Sequence, residues 1–473
     1  MKYAVRGEVP ERAEEIALEL EAAAASGAAS PYNFSKLLRC NIGNPQAVGQ
    51  PPITFYRQVL SLVDSPSLLK RSKRRWSGFP RDVVDRATEL AEAAGSTGAY
   101  THSQGIPLVR RHVCDFIEAR DGGPPCNPDN VFLLNGASAG IQSVLTALIA
   151  GPSDAVMVPI PQYPIYSALI TLLGGKLVKY YMDETRGWGL SIPELQQSIT
   201  AARADGLNPR ALVMINPGNP TGQVFSQEDL EALVRFCQEQ RLLLLADEVY
   251  QANVYAPDRE FISTRSVVAS IAAGDDTQSG VELVSFHSTS KGLVGECGRR
   301  GGYMEFMNID PQVQAELYKL QSSQLCSNVD GQVMTDLMVR PPVEGEPSYE
   351  LFKKESEAIF ASLQRKAQVV VQKLNEVDGV SCNSAEGAMY AFVKIDLPAK
   401  AVEAAAAKGM APDLMYCLSL LEATGIVTVP GSGFGQRSGE HHFRITFLPK
   451  EEDLYRALDA FKVHHESFVA RYA

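Results

Sequence analysis

The stretch Leu243-Leu244-Leu245-Ala246-Asp247-Glu248-Val249-Tyr250 decides the fold. Its apolar run, Leu242 to Ala246, ends abruptly in two carboxylates. A strand covered on one face alternates apolar and polar residues; one covered on both faces reads as a short unbroken apolar run, and helices cover both faces chiefly in parallel sheets. Four similar runs lie between about Asn130 and Phe306: Val131 to Leu134, Ala155 to Ile160, Ala211 to Ile215 and Val281 to Phe286. Longer helical patterns separate them, which is the signature of βαβ units.

Working outward, the segment Glu11 to Ala29 is rich in Ala, Leu and Glu and should be helical, until Pro31 and Asn41-Ile42-Gly43-Asn44-Pro45 break into a loop. Beyond about Pro341, amphipathic helices (Tyr349 to Leu374, Ala399 to Ala407) mix with strand-like pieces (Met389 to Ile395, Phe443 to Phe447). The expected class is α/β: a large domain with a mostly parallel, doubly wound sheet over residues 76–335, and a smaller α+β domain over 336–473. Residues 1–75 supply an arm and part of the small domain. A chain of 473 residues has room for two or three domains at about 150 residues each.

The formal net charge of −11 gives no overall attraction to phosphate backbones, so a nucleic-acid partner is not expected. No apolar run reaches the ~18 residues that span a bilayer, so no membrane is expected either. The eight cysteines form no CxxC pair and read as reduced thiols. Glu8, Glu11, Glu14, Glu15 and Glu19 fit neither a signal peptide nor a transit peptide. A cytoplasmic location is expected, or an organelle matrix if a targeting segment has been removed. Seven histidines form no HExxH, and no metal is expected.

In open α/β sheets ligands sit beyond the carboxyl ends of the strands. The first run leads into Asn135-Gly136-Ala137-Ser138 and a helical pattern, a turn suited to an anion, with a plain helix cap by Ser138 as the alternative. The second leads into Pro161-Gln162-Tyr163-Pro164, placing a ring at the sheet edge, where packing is the commoner role. The third opens Asn216-Pro217-Gly218-Asn219-Pro220-Thr221-Gly222, either a long surface turn or a place for the Asn219 amide to donate. The fourth buries Asp247, which needs a cation or a strong donor, a structural salt bridge being the alternative. The fifth ends in His287-Ser288-Thr289-Ser290-Lys291-Gly292, with Arg299-Arg300-Gly301-Gly302-Tyr303 close behind.

One small molecule accounts for all five ends. Pyridoxal 5'-phosphate has an anionic phosphate, a flat ring, a phenolic oxygen, a ring nitrogen that must stay protonated, and an aldehyde. The helix start with Ser288 and Arg300 suits the phosphate, Tyr163 the ring face, and Asn219 with Tyr250 the phenolic oxygen. Asp247 serves the ring nitrogen, and Lys291 holds the aldehyde as a Schiff base.

The words Asn-Pro-Gly-Asn-Pro-Thr-Gly (216–222), Asp-Glu-Val-Tyr (247–250) and Ser-Thr-Ser-Lys (288–291) stand in the order and spacing of class I aminotransferases of fold type I, which the chain resembles. Asn41 to Gln46, Asp247 to Tyr255 and Gly295-Glu296-Cys297-Gly298 are similar to the alanine aminotransferase branch, which includes glutamate:glyoxylate aminotransferases. The resemblance runs from about Lys2 to Phe461. It implies a homodimer in which Tyr100 reaches the phosphate of the neighbouring subunit, a backbone contact from Gly43 to substrate, and an Arg444 fork on the substrate α-carboxylate. The segment after Lys291 is one residue longer than the commonest class I spacing, leaving Arg299 and Arg300 as competitors for the phosphate. Arg300 is chosen because Arg-Gly-Gly-Tyr fits the family's Arg-x-Gly-aromatic word.

The implied reaction is a ping-pong transamination between amino acids and 2-oxo acids, L-alanine plus 2-oxoglutarate giving pyruvate plus L-glutamate. Lys291 is general base and acid, with Asp247 and Tyr250 as its catalytic companions. Glutamate:glyoxylate exchange is the alternative, and a lyase on the same fold shares the cofactor set. A non-catalytic regulator of this fold predicts a basic helix-turn-helix stretch, and none precedes the arm.

Overall fold

The structure, a computed structural model, describes residues 7–74, 78–273 and 280–473. The expected boundary at residues 75 and 76 lies outside the described residues. A seven-stranded sheet runs in the order Val131–Leu133, Gly302–Met307, Leu283–Ser288, Leu243–Asp247, Asn208–Ile215, Asp154–Ile160, Lys176–Tyr181. Four neighbouring pairs are parallel; Gly302–Met307 runs antiparallel to both of its neighbours.

All five apolar runs are strands of this sheet, and their composition follows from packing on both faces. Leu243 and Leu245 enter one hydrophobic core and Leu244 and Ala246 the other; Val156 and Val158 likewise face away from Ala155 and Met157. Two further strands were not expected. Lys176–Tyr181 is an edge strand with exposed and buried residues intermixed, so it carries no continuous apolar run. Gly302–Met307 is buried almost throughout, but it follows directly on the Arg-Gly-Gly turn that reads as ligand loop.

Helix Glu8–Ser26 confirms the helical opening, and Tyr349–Asn375 and Ala399–Ala407 are the two later amphipathic helices. A four-stranded antiparallel sheet follows in the order Val429–Pro430, His442–Thr446, Tyr390–Ile395, Val380–Cys382. Strand Leu38–Arg39 pairs in parallel with Ile426–Val427, and Arg12 bonds Glu422 at 2.6 Å, so the start of the chain docks on its end. This docking brings loop 41–44 over the carboxyl ends of the large sheet. No helix among the described residues is long and apolar enough to cross a membrane.

Candidate active site

A cavity of about 300 Å³ lies where the strand ends of the large sheet meet the antiparallel sheet and loop 41–44. Of the twelve residues singled out in the sequence, eleven line it: Gly43, Ala137, Ser138, Tyr163, Asn219, Asp247, Tyr250, Ser288, Lys291, Arg300 and Arg444. Tyr100 does not; it is 77% exposed on this single chain.

At the base of the cavity sits Asp247, the last residue of its strand and fully enclosed. Tyr166 donates its hydroxyl proton to Asp247 Oδ2 at 2.9 Å, while Oδ1 is buried without a hydrogen-bond partner among the described residues. Burial pushes the carboxyl up to about 6, against the opposing pull of the Tyr166 hydroxyl, the Val249 amide and Lys291. Among the described residues no salt bridge reaches this carboxylate. An orphaned carboxylate oxygen in such a place favours a ligand that presents a buried cationic N–H.

Across the cavity, Lys291 Nζ donates to the carbonyl of Gly43 at 2.7 Å. Loop 288–291 is tied down: Ser288 Oγ accepts from the Ser290 amide and donates to Gly301 O, and Cys297 Sγ lies 3.0 Å from Ser290 O. A Cβ on Gly43 would collide with the Tyr390 hydroxyl and lie 3.0 Å from Lys291 Nζ, so only glycine lets the loop approach this closely.

Helix Ala137–Leu148 also starts at the cavity, with Gly136 at its cap position and no side-chain cap. Ser138 is therefore in the first turn rather than the cap, and the turn's N–H groups lack helical partners. Gly136 has φ 79°, and a Cβ there would strike the Arg300 guanidinium. Arg300 donates to Asn135 O and Cys297 O at 3.0 Å and to Ser290 Oγ at 3.3 Å, which aims it along the helix start. Arg299 points elsewhere, to Asp330 at 3.3 Å.

Arg444 is among the largest fully buried side chains of the described residues. From the middle of strand His442–Thr446 it donates to Asn219 Oδ1 at 3.0 Å and to Asn41 O, and its Nε has no partner among the described residues. The guanidinium lies 4.1 Å from the Tyr390 ring centroid and 4.8 Å from that of Phe434. A desolvated contact of this kind contributes about 2 kcal/mol and fixes a planar fork. Segment 216–222 is buried throughout, not a surface turn, and the Arg444 bond to Asn219 Oδ1 leaves the Asn219 amide N–H groups as its donors.

Tyr166, Tyr390, Ser290 and Cys297 were missed. Tyr166 stands three residues after Tyr163, a spacing that puts two rings near one site, and Ser290 stands in the hydroxyl-rich loop already identified. Tyr390 arrives from the other sheet, and nothing in its own neighbourhood announces it.

Solved structures carry the same architecture. An aminotransferase from Escherichia coli superposes with a TM-score of 0.74 at 25% identity, over 99% of this chain and 96% of that one. An alanine aminotransferase from Pyrococcus furiosus gives 0.73 at 24% identity, over 98% of each. These define a fold-type I transferase. The model of the family described as "Aminotransferase class I and II" matches residues 74–461, and the chain belongs to that family. Along its whole length it is 50% identical to a protein described as probable alanine aminotransferase, mitochondrial, from Dictyostelium discoideum, covering 88% of that protein. It is 48% identical to human alanine aminotransferase 1 and 47% identical to glutamate–glyoxylate aminotransferase 2 of Arabidopsis thaliana, covering 94% and 95% of them.

Proposed function

We propose that this aminotransferase uses pyridoxal 5'-phosphate to exchange the amino group of L-alanine with 2-oxoglutarate, giving pyruvate and L-glutamate. The observation that carries the reading is the meeting, in one cavity, of a lysine amine, a carboxylate oxygen with no hydrogen-bond partner among the described residues and a buried arginine fork. The residues fit the cofactor. The orphaned Asp247 Oδ1 suits a protonated ring nitrogen, and the helix start beside Gly136 with Arg300, Ser138 and Ser288 suits a phosphate. Tyr163 offers a ring face, and Tyr250 and the Asn219 amide are donors for a phenolic oxygen.

Bound there, the cofactor supplies an aldehyde that condenses with amines and a ring that accepts the electron pair left at Cα. The protein does the rest. Arg444 forks onto the α-carboxylate and so fixes the position of the Cα–H bond. The Lys291 amine, once displaced by the substrate's, would take up the Cα proton and return it two atoms further along, to the carbon beyond the substrate nitrogen. Asp247 holds a proton on the buried ring nitrogen throughout. The Gly43 carbonyl holds the lysine amine at the substrate side of the cavity.

Glutamate:glyoxylate exchange is the second reading, favoured by the 47% identity to the Arabidopsis enzyme of that name. A panel of amino donors and oxo acceptors with purified protein distinguishes the two. Transfer from alanine to 2-oxoglutarate at a small fraction of the glutamate-to-glyoxylate rate would reject the first. Borohydride reduction of the cofactor-loaded protein should label Lys291 and no other side chain. We also propose a homodimer, in which the exposed Tyr100 reaches the neighbour's phosphate site; sedimentation at twice the 51.4 kDa chain mass is expected.

A further inference from the structure

Between the carboxylate fork and the lysine stands Tyr390, a side chain that the transamination reading above leaves without a part. It opens strand Tyr390–Ile395, opposite Thr446 and two residues from Phe392, the register partner of Arg444. Its ring lies 4.1 Å from the Arg444 guanidinium carbon. Its hydroxyl accepts from the Tyr250 O–H at 3.3 Å, with the two rings edge-on at 82°. The same hydroxyl is what a Cβ on Gly43 would strike, and that Cβ would also lie 3.0 Å from Lys291 Nζ, so hydroxyl and amine share one small space.

The residue is held in place from behind. Gly387 N donates to Gly222 O at 2.8 Å and Ala388 N to Asn253 O at 2.9 Å. Met389 O accepts from Thr446 Oγ1 at 2.8 Å. The strand start is therefore clamped between the Asn219 turn and the segment that follows Tyr250, which fixes the backbone that carries the ring.

We propose that Tyr390 is a positioning residue that links the carboxylate-binding Arg444 to the proton-handling pair Lys291 and Tyr250, its ring bracing the guanidinium and its hydroxyl sharing the Tyr250 proton beside the lysine amine. The charge environment agrees. Burial alone would raise the Tyr390 phenol, but Lys291, Arg444 and the Tyr250 hydrogen bond outweigh it and hold it below its ordinary value. Tyr250 goes the other way: burial first, then Tyr390 itself, raise it well above the usual range, so Tyr250 keeps the proton and Tyr390 receives the bond. The groups that face Tyr390 are thus Tyr250, Lys291, Arg444 and the Cys297 thiol. A carboxylate arriving at Arg444 offsets one of the two cations that lower the phenol, Lys291 being the larger, and so part of the binding at one end is felt at the other.

The inference rests on the proposed cofactor and adds to it a division of labour between the ring and the hydroxyl. Cofactor-loaded wild type, Tyr390→Phe and Tyr390→Leu separate the two. The probes are propanoate, a carboxylate with neither amino nor oxo group, and the pH midpoint of the bound cofactor's absorbance. In Tyr390→Phe the ring remains, so the propanoate dissociation constant should stay within about threefold. The Tyr250 proton would then go wholly to the cofactor's phenolic oxygen, which would make the nitrogen of the Lys291 Schiff base more acidic, and the midpoint should fall by about half a unit. Its kcat for alanine should fall with KM nearly unchanged. In Tyr390→Leu the brace is lost as well, and propanoate should bind about tenfold more weakly or worse. An unmoved midpoint in Tyr390→Phe overturns the inference, and so does wild-type propanoate affinity in Tyr390→Leu. Should the leucine variant not fold, the phenylalanine variant decides alone. A wild type that binds no cofactor sinks the underlying reading and this inference with it; a wild type that binds it, with unmoved variants, sinks only the inference.

Discussion

The amine of Lys291 donates a 2.7 Å hydrogen bond to the carbonyl of Gly43, 248 positions earlier in the chain. The contact exists because the N-terminal segment docks on the C-terminal part and lays loop 41–44 across the strand ends of the large sheet. Gly43→Ala would press a methyl group into the Tyr390 hydroxyl and the lysine amine. A displacement of about 1 Å at reacting groups costs on the order of 100-fold in rate. We expect that loss in kcat/KM with a melting temperature close to wild type, since the loop is anchored at Cys40 rather than at Gly43. Wild-type kcat/KM in this variant would mean that the loop does not set the lysine's position.

Lys291→Ala should remove both turnover and the reducible link to the cofactor. Retention of either by the purified variant would end the assignment of this residue.

Asp247 gives a pH signature whose two halves run in opposite directions. Its carboxyl is raised by burial from 3.8 to about 6, so in the cofactor-free protein its contribution to stability is present below about pH 4 and lost as pH rises through about 6. Asp247→Asn, which cannot ionise, should therefore stabilise the cofactor-free protein at pH 8 by on the order of 2 to 3 kcal/mol and leave it unchanged at pH 4. Cofactor affinity in the wild type should weaken as pH falls through about 6, where the anion facing the ring nitrogen is neutralised, and in the asparagine variant it should be flat across that window. Thermal melts and cofactor titrations at pH 4 and pH 8 check both. An asparagine variant less stable than wild type at pH 8 would show that burial does not dominate this carboxyl.

The residues legible in the sequence were those whose chemistry contradicts their local pattern. Asp247 closes a run of apolar residues, and Lys291 sits among hydroxyls after another; a strand buried on both faces makes such interruptions visible. Arg444 was reached only through family resemblance, because one arginine in a strand that alternates His, Phe, Arg, Ile, Thr reads as an ordinary exposed position. Tyr390 was not legible at all. Its partners, Tyr250 and Gly43, lie 140 and 347 positions away, and sequence spacing carries no information about contacts made between two sheets. The edge strand Lys176–Tyr181 escaped for the opposite reason: exposure mixes polar residues into it and erases the run that marks its neighbours.

The two adjacent arginines after the lysine loop should separate cleanly. Arg300 lines the cavity in a left-handed backbone conformation, φ 54°, and is held by Asn135 O, Cys297 O and Ser290 Oγ, whereas Arg299 pairs with Asp330 outside it. Arg300→Gln should weaken cofactor binding by about 10- to 100-fold, the range for losing one charge-assisted contact to a phosphate. Arg299→Gln should leave it within about twofold. The reverse pattern would move the phosphate to the other arginine.

Arg444 should behave as a carboxylate receptor whose energy comes from enclosure. In water an arginine–carboxylate pair contributes little, but here the guanidinium is sealed between the Tyr390 and Phe434 rings with one buried N–H unpartnered. Truncating one side of a desolvated, hydrogen-bonded charge pair costs about 2 to 5 kcal/mol. Arg444→Leu would also strand the Asn41 carbonyl and Asn219 Oδ1, so loss of affinity and loss of stability would be confounded. Arg444→Lys keeps the charge, and only the fork and the stacking are lost. For it we expect KM for both alanine and 2-oxoglutarate to rise by at least about tenfold with cofactor affinity unchanged, because every substrate of a ping-pong cycle must present its α-carboxylate to the same guanidinium. A rise confined to one substrate would place a second cation at the carboxylate site and take from Arg444 its role for both half-reactions.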